Sequence, residues 1–585
     1  MSAPETAAGG GSSRLARLLG VGAGWLLLYV TGPGIVVPDG WAVGAPLAIA
    51  LWAYFASRPG RWAFGVEWLV ACAAWCGICS WAALVHWTSL LFIGPGFGIY
   101  YACAGVLLRK LGRSWPLAIA APAAWMFIET LRSVLEPPFG LNWMRLGVHG
   151  HELGWFAGSA RVWGVWGLSY AAAALGGGLA DLLAARRLEP DLARSRRRTA
   201  LLAGMGPMLL AVLLSLCTVA PTTEQGPRVM LVQPGIPQWR KMEQKSSEEL
   251  FVEGANLTRT GLEEARRAGE RAIDLVAWGE TMLPMYVIDP ALHQALQLGA
   301  RPPSWWADDF VVDEEFLERW KEVEDLWVRR GLLHAAGSTR SLLPTGTAFV
   351  AGATAVIARG TLIGRQNAVM VWSADGTRSA SIGKQHLVPA AETMLGLEQY
   401  SGVRDTIYGL AGYIPDLLPH IGSRVLRFKN REGREFAFGA AVCFDNAYDG
   451  PFVDPLREGA VDFHLVASNE AWFLGDQEND QMMAFSRLAA IQTGRAIVRA
   501  TNSGISAVID PAGKEVARLV VGGRDREVAG TLRADVPVPL AADRARHTIY
   551  VDTWWLWPIA LLCWPAILIL LSRRLRPGYR SPTPG

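Results

Sequence analysis

The stretch Phe436–Ala437–Phe438–Gly439–Ala440–Ala441–Val442–Cys443–Phe444–Asp445–Asn446 is an apolar run that stops at a cysteine. Continuous apolar character predicts a strand covered on both faces. A cysteine on the turn that ends such a strand is open to attack and can receive backbone N–H groups at an oxyanion. Taken alone, the same segment also fits a buried structural cysteine. Two further strand ends favour chemistry. Ile273–Asp274–Leu275–Val276–Ala277–Trp278–Gly279–Glu280 delivers a carboxylate, and Ile382–Gly383–Lys384–Gln385–His386–Leu387–Val388–Pro389 delivers an ammonium. A partly desolvated glutamate can take a thiol proton and return it to a leaving group. A lysine beside a thiolate favours ionisation and stabilises a tetrahedral oxyanion.

Around these ends the pattern predicts an α/β domain with a buried sheet. Strands are expected at 228–233, 273–278, 348–357, 368–372, 436–443, 463–468, 496–501 and 506–509, and helices at 248–271 and 480–493. Residues 308–330 read as a solvated surface helix. Residues 393–424 read as a long apolar loop, suited to act as a lid or to touch lipid.

Outside this domain the composition changes. Of the 585 residues, 51% are hydrophobic and 18% charged, and many of the 26 Trp, not all, sit at the ends of apolar runs. This favours a membrane protein with Trp at the interface. A net charge of +3 is too small to imply nucleic acid. Runs at 18–38, 41–57, 68–87, 88–108, 116–128, 162–180, 199–221 and 554–572 predict eight spans, the fifth being short with Glu129 at its far end. Closely following spans and the lack of a small-residue cleavage site argue against a signal peptide at the first. Arg14 and Arg17, Arg58 and Arg61, Arg109 to Arg113, Arg186 to Arg198, and Arg573 to Arg576 fall in alternate connections. By the excess of basic residues on the cytoplasmic side, both termini are cytoplasmic and the long central segment lies outside. The connection 132–161, with Glu136, Asn142, Arg145, His149, His151 and Glu152, is then an outer loop or a rim facing the soluble domain. Its two histidines lack a companion cluster for metal.

Seven cysteines are present, six of them in the apolar runs. Cys72, Cys76 and Cys79 share a helix face without His or acid, so small-residue packing explains them better than metal. Cys443 is the lone thiol of an exported domain, where it is a liability unless shielded or used. No Gly-x-Ser-x-Gly elbow supports serine hydrolysis. The glycines of 94–98 follow no strand and form no dinucleotide motif.

In the order Glu280, Lys384, Cys443 the chain resembles the nitrilase superfamily, which builds such sites on an α-β-β-α sandwich. With apolar spans on both sides, the resemblance narrows to the membrane-embedded branch of apolipoprotein N-acyltransferases and covers nearly the whole chain. It is carried by Leu231–Val232–Gln233 with Ile236–Pro237–Gln238, by 277–280, by 384–392, by 441–445, by Ala467–Ser468–Asn469–Glu470–Ala471–Trp472–Phe473 and by Arg499–Ala500–Thr501–Asn502–Ser503–Gly504. It implies Glu280 as general base, Lys384 as oxyanion stabiliser, Cys443 as nucleophile and Glu392 as a supporting acid. Asn367, Phe444, Asp445, Trp472 and Trp239 become candidate substrate-binding residues. The chain departs from the usual pattern in four places. Gly279 replaces a proline before the base, which predicts a looser turn. Ala390–Ala391 replace Phe-Gly. Phe444–Asp445 replace Tyr-Glu. Met242 replaces an aromatic for which the nearby Trp239 could substitute.

The implied reaction moves a fatty acyl chain from a membrane phospholipid, through a thioester, to the N-terminal amine of a diacylglyceryl-cysteine lipoprotein precursor. The implied arrangement is a membrane domain over 1–221 with seven transmembrane helices, an extracytoplasmic catalytic domain over 222–545, and a last transmembrane helix with a basic cytoplasmic tail over 546–585. A monomer in the bacterial inner membrane is expected, without cofactor or metal. The rivals are a membrane-bound amidase using water as acceptor and a non-catalytic lipoprotein-binding relative.

Overall fold

Fully buried β-forming runs recur through residues 223–539, and they assemble into two sheets. The computed structural model describes residues 14–85, 87–186, 189–242, 247–306, 310–333, 341–473 and 475–574. Contacts divide the chain into two units. One holds residues 1–219, 475–484 and 553–585; the other holds 220–474 and 485–552. Residues 475–484, assigned to the soluble domain by sequence, therefore cluster with the helical unit.

In the helical unit each expected apolar run contains a helix. Among the described residues, five are long and apolar enough to cross a membrane: Ser89–Leu111, Leu117–Val134, Ala160–Ala185, Ala193–Cys217 and Leu556–Arg574. Helices Arg14–Val30, Gly44–Ala56 and Ala63–Ile78 are shorter. The run expected over 68–87 breaks at Ile78, where Gln477 Nε2 donates to the carbonyls of Gly77 (3.1 Å) and Ile78 (2.6 Å). Such a donor satisfies carbonyls that a helix end leaves without partners. The run expected to end at Ile128 continues to Val134 because Glu129 is accommodated inside the helix. Its carboxylate accepts from Trp125 Nε1 (3.2 Å) and from the Leu146 amide (2.8 Å).

Glu67 accepts from Arg17 (2.7 Å) and Arg109 (2.6 Å), joining three helices. The connection after Val134 is not a solvated loop: Asn142, Arg145, His149 and His151 are all buried. Arg145 lies over the Trp166 ring, 4.6 Å from its centroid, as a cation–π pair.

In the second unit the strands are β1 Thr223–Gln233, β2 Leu275–Trp278, β3 Tyr286–Ile288, β4 Ala348–Arg359, β5 Leu362–Trp372, β6 Ile382–Gly383, β7 Leu426–Lys429, β8 Glu435–Val442, β9 Phe463–Ser468, β10 Ala496–Thr501, β11 Ala507–Ile509, β12 Glu515–Arg518 and β13 Gly530–Pro539. One sheet runs β13-β1-β2-β4-β5-β6, with β3 beside β4; the other runs β12-β11-β10-β9-β8-β7. Strands β1, β2 and β4 are parallel, as are β8, β9 and β10. The sheets meet through polar side chains: Gln233 Oε1 accepts from Thr501 Oγ1 (2.9 Å) and Ser506 Oγ (2.7 Å).

Helix Ser247–Arg267 and the stretch 314–332 cover the other face of the first sheet. The latter is no solvated surface helix. Leu317, Val328 and Leu332 are buried, and Trp320 and Trp327 pack on a core that contains Trp278, Phe349 and Trp372. Its amphipathic charge hid a buried stripe. Trp372 is fully buried, and its Nε1 donates to Glu324 (2.9 Å). Removing it leaves a large cavity and one partner fewer for a buried acid. Trp372→Ala is expected to destabilise the unit by ~3–5 kcal/mol, read as a lowered melting temperature of the detergent-solubilised protein.

Candidate active site

The carboxyl ends of parallel strands are where α/β folds leave room for a ligand. Glu280 follows β2, Lys384 follows β6 and Cys443 follows β8. The fold brings together these residues, which are 104 and 59 positions apart in the chain. Cys443 has φ +50°, a left-handed value that costs an L-residue strain and marks the sharp turn expected of a nucleophile. Thr281, just after Glu280, has φ +48°.

Lys384 is almost fully buried, and its Nζ donates to Glu392 at 2.9 Å and lies 3.8 Å from Glu280 Oε1. Asn367 on β5 donates to Glu280 Oε1 and, at 3.5 Å, to Glu392 Oε1, so it ties the two acids around the ammonium. The second oxygen of Glu392 accepts the Val388 amide at 2.8 Å. Glu280 Oε2 is buried and accepts no hydrogen bond among the described residues. It is the one carboxylate oxygen of this set left open for a proton.

Charge in this enclosure decides protonation. Burial raises the Cys443 thiol well above its usual pKa, Glu280 raises it further, and Lys384 opposes both. Burial also raises Glu280, against Lys384. Burial works against the Lys384 ammonium, but Cys443, Glu392 and Glu280 outweigh it and hold its pKa above the usual lysine value. Burial and Glu280 thus favour the protonated thiol, while the acidic groups around Lys384 favour its ammonium.

The other expected site residues divide. Asp445 is buried and accepts from the amides of Gln385 (3.0 Å) and His386 (2.8 Å) and from the Val442 amide (3.3 Å), and it pairs with His386 Nδ1 (3.0 Å). It ties the nucleophile turn to the lysine turn. Phe444 is buried against Tyr448, with ring centroids 5.4 Å apart, and Tyr448 stacks on His386 at 3.6 Å. Both act as supports of the two turns. Trp239 is exposed on helix Gln238–Met242, and Trp472 is half-buried on the turn Glu470–Trp472. Neither belongs to the ion-pair set.

The turn before the base is not loose. A Cβ at Gly279 would lie 2.9 Å from the Ser468 carbonyl and 3.0 Å from the Asn502 amide nitrogen, so the opposite sheet presses directly on this backbone. Gly352 on β4 donates its N–H to the Gly279 carbonyl (3.1 Å), and a Cβ there would lie 2.7 Å from Glu280 Cα.

Several contributors carry no local signal in the sequence. Gly352 sits mid-strand. Glu470 lies under the nucleophile, paired with Arg499 at 2.9 Å; Arg499 reaches Ser486, which donates to Asn446. Lys241 donates to the Glu280 carbonyl (3.1 Å) and to Thr281 Oγ1 (2.9 Å). Elsewhere, in the helical unit, Asp39, His151 and Glu152 place ligand-type atoms within 4.8 Å of one another. Sequence spacing concealed Asp39 as the companion of His151. A protonated histidine would satisfy the two carboxylates as well as a cation would.

A thiol, a carboxylate and an ammonium meet at the strand ends of two packed sheets, the groups that acyl transfer through a cysteine calls for. The chain belongs to the carbon-nitrogen hydrolase family, whose profile matches residues 227–544. Residues 33–178 match the apolipoprotein N-acyltransferase N-terminal domain. The chain is similar to the apolipoprotein N-acyltransferase of Rhodopseudomonas palustris, at 25% identity over 95% of this chain and 92% of that one. It is similar to that of Methylococcus capsulatus at 25% identity, over 94% and 96%. A solved amidase from Nesterenkonia sp. AN1 aligns at 15% identity and a TM-score of 0.31, over 57% of this chain and 97% of that one.

Gly352→Ala is expected to push the Glu280 backbone away from the nucleophile. A displacement of this kind costs ~10²-fold in rate, measured as the rate of covalent labelling of Cys443 by acyl donor.

Proposed function

We propose that this chain is a membrane-embedded apolipoprotein N-acyltransferase working by a two-step exchange. Cys443 Sγ attacks the acyl carbon of a phospholipid ester. Glu280 takes the thiol proton and passes it to the departing lysophospholipid oxygen, while Lys384 stabilises the tetrahedral oxyanion. The carbon–oxygen bond breaks and a thioester remains. The α-amine of a diacylglyceryl-cysteine lipoprotein precursor then attacks that thioester. Glu280 takes the amine proton and returns it to the Cys443 sulfur as the carbon–sulfur bond breaks. Covalent relay suits two bulky lipids that reach the nucleophile in turn.

The observation that carries this reading is the open, buried Glu280 Oε2 within a set that holds Lys384 ionised and Cys443 neutral. Similarity over nearly the full length of curated acyltransferases supports a lipid acceptor over water. Eight spans with both termini cytoplasmic, as the basic residues indicate, would put the catalytic unit on the periplasmic side of the inner membrane. Residues 393–424 suit a lid. They hold a helix, Ser401–Ala411, and are anchored beside the site by the Leu417 amide on the Glu392 carbonyl (2.9 Å) and the His420 amide on the Lys384 carbonyl (2.8 Å). Leu397, Tyr400 and Tyr408 are exposed on that segment and suit acyl chains. The protein acts as a monomer and needs no metal or cofactor for this chemistry.

Two measurements test the reading. Purified protein incubated with a defined phospholipid gains one acyl mass. Cys443→Ala is expected to gain none and to lose N-acylation of a diacylated lipopeptide; either activity surviving in that variant overturns the proposal. Glu280 must be ionised to act, and its pKa is raised by burial. The acylation rate is therefore expected to fall with falling pH at a midpoint above the ordinary glutamate range, measured by single-turnover acylation.

A further inference from the structure

Among the described residues, Lys241 is a cation near Glu280 that the reaction above leaves without a task. It lies on the short helix Gln238–Met242, and its ammonium reaches across to the strand-end turn of the first sheet. There it donates to the Glu280 carbonyl oxygen (3.1 Å) and Thr281 Oγ1 (2.9 Å), and it lies 3.7 Å from Met282 Sδ. All three contacts fall on consecutive residues. The middle one, Thr281, has φ +48°, a conformation that a β-branched residue holds only when its surroundings impose it. Gly279, on the other side of the base, is already pinned by β4 and by the second sheet. Lys241 adds a tether on the far side of the base in sequence.

Its charge matters as much as its contacts. Glu280 is buried, and a buried carboxylate stays ionised only beside positive charge. Lys384 supplies one such charge but is shared with Glu392, which accepts its hydrogen bond. Lys241 supplies the other. Burial draws its own pKa down to about 8, with Glu280 and Cys443 holding it up. Near neutral pH the ammonium therefore remains largely charged.

We propose that Lys241 is a positioning residue for the general base: it clamps the left-handed turn that aims Glu280 and supplies the second positive charge that keeps this carboxylate ionised. Lys241 touches backbone and Thr281, not the reacting atoms, so it acts through Glu280. The inference rests on Glu280 serving as the base for Cys443.

The test uses full-length, detergent-purified protein and vesicles of a single dipalmitoyl phospholipid. Single-turnover acylation of Cys443 is followed by intact mass across pH for the parent, Lys241→Gln and Lys241→Arg. A glutamine amide can still donate to the turn but carries no charge; an arginine keeps the charge. Loss of a cation this close is expected to raise the acid-limb midpoint of Lys241→Gln by about one unit, which slows the rate by up to about tenfold on the acid limb. Lys241→Arg is expected to return the midpoint to that of the parent. If Lys241→Gln is slower by the same factor at every pH with its midpoint unmoved, Lys241 is only a strut and the proposal falls. It also falls if rate and midpoint both match the parent. If Lys241→Gln does not fold, the Arg variant decides: a midpoint differing from the parent overturns the proposal, and an unchanged midpoint with near-parental rate upholds the role of charge. A parent protein that gains no acyl mass refutes the acyl-enzyme reading itself, which is a separate outcome.

Discussion

A lysine ammonium buried almost to exclusion of water is the constraint on which this site is built. Lys384 would be discharged in an apolar enclosure unless negative groups faced it. Glu392 accepts its hydrogen bond at 2.9 Å, and Glu280 lies at 3.8 Å. Those acids are themselves too costly to bury unpaired, so Asn367 bridges them and the Val388 amide serves the second oxygen of Glu392. Each group is tolerated because of the others. The set leaves one carboxylate oxygen, Glu280 Oε2, open among the described residues.

The backbone around this set is shaped to hold it. The second sheet presses on Gly279, β4 presses on Glu280, and left-handed turns fall at Thr281, beside Glu280, and at Cys443. Asp445 joins the cysteine turn to the lysine turn through backbone amides. These are short-range fits with little slack. A shorter acid at 445 and a glycine at 279 are consistent with them: the glycine is where the sheets come closest, and the aspartate reaches three backbone amides. Two of the departures from the family pattern, Gly279 and Asp445, are thus matched to their surroundings.

The helical unit solves a different problem. Its helices bury Glu67, Glu129 and Arg132, all of which would be expensive in hydrocarbon. Each is met by partners from neighbouring helices or connections. Gln477 and Gln481, drawn from the segment between β9 and β10, complete the polar pairing at the end of the third helix; Gln481 accepts from Trp143 at 2.6 Å.

The sequence by itself determined the strands that are apolar throughout, because burial on both faces leaves an unmistakable run. It placed β9 and β10 to the residue, and it identified Glu280, Lys384 and Cys443 as the ends of such runs. Each apolar run it marked contains a helix, and among the described residues five of these are long and apolar enough to cross a membrane. What it missed was set by contacts from distant parts of the chain. Strand β13 is half-polar and forms only because β1 offers it an antiparallel edge. The stretch 314–332 looked solvated because its charges outnumber the few residues it buries. Residues 475–484 looked like part of one domain and pack with the other unit, through glutamines that carry no signal of their own. Phe444 and Asp445 stood next to the nucleophile in sequence and became its supports, while Lys241, about 40 positions from Glu280, became its neighbour. Periodicity reports what a segment buries. Only the tertiary structure decides which charges that burial brings face to face, and here those charges are the site.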